Sequence, residues 1–143
     1  MSKGNTFETD ILKLLFNATA LQNIARDAAV PDTLYVSLHT ADPGEDGDQS
    51  TSETAYVGYG RVNLVRTAGA WTVANGSVSP VANIDFGECT ATPGNPITHF
   101  AVGTNPTAGQ AGYLMYSGTL TPNITMAVGV IPRIKTTSTI TED

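Results

Sequence analysis

A chain of 143 residues suits one domain with a sizeable core, and folding at this length buries roughly 68–70% of the surface that the unfolded chain exposes. Apolar residues make up 41% and charged residues 14%, which excludes a disordered chain and a highly charged helical one, while 14 Gly and 8 Pro imply many turns. The net charge is −6 and the seven basic residues, Lys3, Lys13, Arg26, Arg61, Arg66, Arg133 and Lys135, are scattered, so no basic stripe exists to meet phosphates and nucleic acid is not an expected partner.

The first residues, MSKGNTFETDILKLLF, place Glu8 and Asp10 ahead of an interrupted apolar stretch, which is not the continuous core of a signal peptide. Phe7, Ile11, Leu14, Leu15 and Ala18 recur at helical spacing, with Asn5 or Thr6 as cap and the acids in the first turn, and predict a helix over 7–18. Thr19 and Gln22 fit a capping box, and Leu21, Ile24, Ala25 and Ala28 share a face until Pro31, so a second helix is expected over about 20–28. No run of 18 apolar residues follows, and no membrane partner is expected.

From Leu34 the period becomes two, with Leu34, Val36 and Leu38 alternating against Tyr35, Ser37 and His39. Further strands are expected at Tyr56 to Arg66, Ala70 to Ala74, Val78 to Phe86, Ile97 to Thr104, Tyr113 to Thr119, Ile124 to Val130 and Ile134 to Ile140. Turn signals separate them, among them Pro93-Gly94-Asn95-Pro96 and Thr121-Pro122-Asn123. Asn75-Gly76 suits a tight hairpin whose two central residues both take positive φ, so Trp71 to Ala74 should pair with Val78 onward. The expectation is a mainly β protein of one domain, residues 1–143, with one or two short helices in 1–31 and a jelly-roll-like β-sandwich of about eight strands in 33–140.

The segment from Ala41 to Ser52 gathers Asp42, Glu45, Asp46 and Asp48 in a turn-rich stretch that must be an exposed loop. Asp42, Asp46, Gly47, Ser50 and Glu53 fall on positions 1, 5, 6, 9 and 12 of an EF-hand, but position 3 is Gly44 and the flanks are not helical. The better reading is a solvated acidic loop, and no metal or other cofactor is expected. His39 and His99, the only histidines, have no Cys or His companions at zinc spacing. Ser37 and His39 share one strand face and could be drawn into a triad, yet no nucleophile elbow or oxyanion glycines accompany them, so no catalytic residues are expected. Cys89 is the only cysteine, so no intrachain disulfide can form, and it reads as a small buried filler. The Asn-x-Ser/Thr triplets at Asn17, Asn75 and Asn123 have no secretory context, and assembly in a reducing host cytoplasm is expected. Tyr56, Tyr59, Trp71, Tyr113 and Tyr116 read as core and edge filling ahead of a ligand groove.

Residues 34 to 73, with LHTADPG, the acidic loop and then Gly58-Tyr59-Gly60-Arg61, resemble a family of small tailed-bacteriophage virion proteins. The block from Ile97 to Val102 and the run from Gly112 to Leu120 are similar to that family's second half. Members are labelled tail-fibre-like, or serve as jelly-roll cement proteins on the capsid. The resemblance implies a virion structural protein with no enzymatic role. The expected role is a capsid cement or decoration protein at the head surface, with the major capsid protein and a second or third copy of itself as partners. The alternative is a tail-fibre or receptor-binding accessory domain. Contact is expected through Asp42, Glu45, Asp46, Asp48, Tyr59 and Arg61 and the outer face of the first helix, although Arg61 could instead pair with one of those acids.

Overall fold

The computed structural model describes residues 5–20 and 33–141. The protein is mainly β, with one helix near the N-terminus and antiparallel pairing in its sheets. The expected second helix, about 20–28, lies outside the described residues save for Ala20. The chain forms two compact units, one made of Met1–Thr33, Leu64–Ile84 and Ile134–Asp143, the other of Leu34–Asn63 and Asp85–Arg133.

In the first unit, α1 (Asn5–Asn17) buries Leu12 and Phe16, four residues apart on one face. Phe16 meets Trp71 edge-on with ring centroids 4.7 Å apart. Ala18, at φ 50°, turns the chain out of the helix, and the Arg66 guanidinium donates to the carbonyls of Leu14 and Leu15, which the ending helix leaves without intrahelical donors. Thr9 Oγ1 accepts from Gly76 N at 2.9 Å, tying the helix to the hairpin of β3 (Trp71–Ala74) and β4 (Ser77–Pro80). That hairpin closes as expected, with Ala74 opposite Ser77 and with Asn75 at φ 52° and Gly76 at φ 69°. β4 also pairs with β9 (Ile140–Thr141).

The second unit carries most of a four-stranded sheet in the order β2-β1-β6-β7, with β1 at Thr33–His39, β2 at Val62–Val65, β6 at Ile97–Gly103 and β7 at Leu114–Ile124. Leu34, Val36 and Leu38 are buried, and so are Ser37 and His39 on the opposite face, so β1 is covered on both sides. β1 opposes β6 from Tyr35 with Gly103 to His39 with His99, and β6 opposes β7 with register shifts at both ends. A short pair joins β5 (Ile84–Asp85) and β8 (Arg133–Ile134), bridged by the exposed Arg133–Asp85 ion pair.

Several boundaries differ from expectation. The stretch from Tyr56 to Arg66 is strand only at 62–65, because Tyr56 and Tyr59 spend their hydroxyls on Gly87 and Glu53 in a looped path. Thr121-Pro122-Asn123 does not end a strand: β7 runs through it, which an edge strand permits because its outward N–H needs no ladder partner. Residues 125–130 form no strand, since Gly129 takes φ 89° and Val130 N turns back to Ala127 O.

Candidate functional site

The polar residues singled out in the sequence converge in the second unit, beside the end of β1. Thr40 N donates to Ser52 O at 2.9 Å and Thr54 N to Leu38 O at 2.9 Å, so the chain after the acidic loop returns alongside β1. Glu53 is thereby placed against Tyr59 and Arg61.

Arg61 grips Glu53 with two arms, Nε to Oε1 at 2.8 Å and Nη2 to Oε2 at 2.8 Å, with side-chain exposures of 0% and 3%. This parallel fork is the strongest geometry available to such a pair. The remaining donors reach a third loop: Nη1 donates to Asn105 O at 2.9 Å and Nη2 to Gln110 O at 2.8 Å. Glu53 completes its shell with Tyr59 Oη at 2.7 Å and Gly109 N at 2.8 Å. Tyr59 Oη in turn accepts from Leu38 N at 3.1 Å. Burial, then the hydrogen bond and charge of Glu53, push the Tyr59 phenol well above its ordinary range, so it stays a donor. Its ring lies edge-on to Tyr56 and stacks on Phe86. Tyr56 donates to Gly87 O at 2.8 Å, and burial pushes its hydroxyl up to about 12.

A second knot fixes the loop behind Glu53. Gln49 is fully buried, donates through Nε2 to Tyr35 O at 3.2 Å and accepts through Oε1 from Asn105 N at 2.9 Å. Asp42 Oδ1 accepts from Gly44 N at 2.9 Å. Asp48 Oδ1 accepts from both Ser50 N and Ser50 Oγ, at 2.7 and 2.6 Å, and these bonds hold its carboxyl below the usual range. Glu45 and Asp46 are exposed, and none of the four loop acids forms an ion pair among the described residues.

Ser37 and His39 do meet, with Ser37 Oγ 2.9 Å from His39 Nε2. His39 Nδ1 lies 2.8 Å from Thr51 O, a carbonyl that can only accept, so the proton sits on Nδ1 and Nε2 takes the bond from the serine. Burial lowers the histidine pKa, which keeps the ring neutral. Both side chains are 0% exposed, so the pair holds β1 to the loop where no substrate can reach it. Among the described residues no group of three His, Cys, Asp or Glu is placed to hold a metal. Glu53, twelfth in the calcium spacing, is committed to Arg61, Tyr59 and Gly109.

This arrangement can position loops; it offers solvent no nucleophile with a base. The family described as Podophage GP4 fiber I protein gp80 matches residues 2–142. The chain belongs to that family. It is a structural protein of the phage virion, which agrees at that level with the expected kinship to tailed-phage virion proteins. No curated protein matches the chain.

In this gp80-family chain Tyr59 and Arg61 meet on Glu53, whereas the sequence reading offered Arg61 only the four loop acids as partners within its own domain. Glu53, Gln49 and Asn105 escaped notice as a set. The bonds to Asn105 join residues 44 and 56 positions apart, which leaves no periodic trace. The one available signal was a single acid followed eight residues later by an arginine across a Gly-Tyr turn.

Proposed function

We propose that the chain is a passive fibre module of the phage particle, which docks other virion or host proteins through loops held in shape by the Glu53–Arg61 knot. The observation that carries this reading is the inward commitment of every reactive polar group in the site. Arg61, Ser37 and His39 are sealed, while Glu45, Asp46 and the 75%-exposed Tyr113 face outward from the framed loops. Asp42 and Asp48 shape the acidic loop from within, and Tyr59 and Arg61 serve contact by positioning what surrounds them. The family description supports the fibre position over the capsid surface.

The test is the location of the chain on intact particles, together with the phenotype of its deletion. Antibody label at the tail and slowed adsorption by deletion particles are the expected results. Label on the head, with normal adsorption and a head more easily broken by heat, would replace the fibre reading with a cement protein that bridges major capsid subunits.

A further inference from the structure

We infer that Asn75 is a site of hydrolytic deamidation, and that the docked α1 restrains it by occupying the backbone N–H of Gly76 that must attack. The inference concerns the hairpin alone and holds whether the chain sits on a fibre or on the head. Asn75-Gly76 is the only Asn-Gly pair in the sequence. Every other asparagine precedes Thr, Ala, Ile, Leu or Pro, so each has a Cβ beside the attacking nitrogen or, before Pro, no N–H to give up. A glycine leaves the approach open.

The reaction consumes water and releases ammonia. Gly76 N loses its proton and bonds to Cγ of Asn75, and the side-chain nitrogen takes up that proton and departs as ammonia, which closes a cyclic imide. Water then adds its hydroxyl to one carbonyl carbon of the imide and its proton to the ring nitrogen. Opening at the side-chain carbonyl leaves an aspartate, and opening at the main-chain carbonyl leaves an isoaspartate, whose backbone is longer by one methylene. Neither step needs an oxidant or a reductant.

The fold exposes the electrophile and hides the nucleophile. Asn75 is exposed at the hairpin tip, whereas Gly76 is buried and its N–H donates to Thr9 Oγ1 at 2.9 Å. A hydroxyl accepts that bond but is too weak a base to take the proton, and its oxygen holds the place from which hydroxide would. The tight turn is a second restraint: Asn75 at φ 52° and Gly76 at φ 69° are held by the pairing of Ala74 with Ser77 and by Ser77 Oγ donating to Ala74 O at 3.0 Å. Both restraints last only while the local structure stays closed. Phe16 on Trp71 and Arg66 on the carbonyls of Leu14 and Leu15 hold α1 down, so an opening that lifts the helix frees Gly76 N for reaction. An isoaspartate does not fit the two-residue turn, and with ammonia lost to bulk solvent the step does not reverse. The product therefore loosens the hairpin whose second strand pairs with β9.

The test incubates the full chain at neutral pH and follows Asn75 by peptide mass spectrometry, which reads the replacement of NH2 by OH. The same chain unfolded in urea is the reference. The folded native chain is expected to react at least about tenfold more slowly than the unfolded chain. Thr9→Val, which removes the oxygen and keeps the branched shape, should speed the reaction roughly two- to tenfold, the factor that one hydrogen bond supplies. Thr9→Ser, which keeps the oxygen, should stay close to the native rate. Sub-denaturing urea keeps the test open without any variant, because the Asn75 rate must then rise in step with exchange of the Gly76 amide. The inference is overturned if that parallel fails, if the unfolded chain is not modified at Asn75, or if the folded native chain reacts as fast as the unfolded one. It is also overturned if folded Thr9→Val keeps the native rate, or if Thr9→Val and Thr9→Ser speed the reaction equally.

Discussion

Replacing Arg61 with Met takes both arms off Glu53 and leaves a carboxylate that is 3% exposed with two of its four donors, Tyr59 Oη and Gly109 N. It also strips a donor from the carbonyls of Asn105 and Gln110, of which only the exposed Gln110 is readily rehydrated. Removing one member of a buried pair costs about 3–5 kcal/mol, because the remaining charge stays buried and unanswered. At this chain length each kcal/mol lowers the melting temperature by about 3 °C, so Arg61→Met should melt roughly 10 °C or more below the native protein if the units unfold together. Hydrogen exchange gives a local reading that does not depend on that condition, with protection expected to drop across 40–61 and 103–112. Glu53→Gln should cost a similar amount from the other side. The double variant, which buries neither charge, should cost less than the sum of the two by about 1–3 kcal/mol. The reasoning fails if Arg61→Met costs under about 1 kcal/mol, which is the scale of a solvent-exposed pair.

Acidification should weaken the fold through His39. Its folded pKa lies below the ordinary 6.5, so as pH falls through 6.5 the unfolded chain binds a proton that the folded chain refuses, and stability declines until the lower folded value is passed. The urea midpoint should therefore fall between about pH 7.5 and 5.5, with a shallower slope for His39→Gln. Gly58→Ala should destabilise by more than about 2 kcal/mol, because φ 103° strains a side chain and its Cβ would lie 2.0 Å from Glu88 O; Gly60→Ala, with open space around the methyl, should stay within about 0.5 kcal/mol. Arg66→Met should cost about 2–3 kcal/mol and speed amide exchange in α1, since it removes the donors to Leu14 and Leu15.

The elements legible in the sequence were those whose evidence is local. Asn75-Gly76 needs only two residues to specify its turn, and the alternation from Leu34 to Leu38 marks β1 without help from any partner. What could not be read was set by partners distant in sequence. Ser37 and His39 look like the solvent face of a half-buried strand, yet the returning loop covers them and supplies Thr51 O. The stretch from Tyr56 to Arg66 has the composition of a strand, but its tyrosines answer to Gly87 and Glu53, and pairing is lost until Val62. Of the candidate contact residues, the acidic loop was legible as a loop from its turn residues. The inward direction of Arg61 was not, because an arginine's exposure depends on whether a carboxylate waits for it across the fold.

A loop as long as the one between β1 and β2 is ordinarily mobile, because few apolar side chains hold it down. From Asp42 to Gln49 the buried positions are only Pro43 and Gln49, so hydrophobic burial does little of the ordering. Order comes instead from polar closures at successive depths: Asp42 onto Gly44, Asp48 onto Ser50, Gln49 onto Tyr35 and Asn105, and Glu53 onto Arg61. Each closure has a single geometry that satisfies it, so the loop adopts one shape where apolar packing would tolerate several. Inward charge is neutralised within the knot, and the negative charge of Glu45 and Asp46 is left to face outward from a fixed frame. A surface ordered before it meets a partner loses less conformational entropy on contact. In a structural protein of the virion, that advance ordering is what a buried ion pair beneath exposed loops supplies.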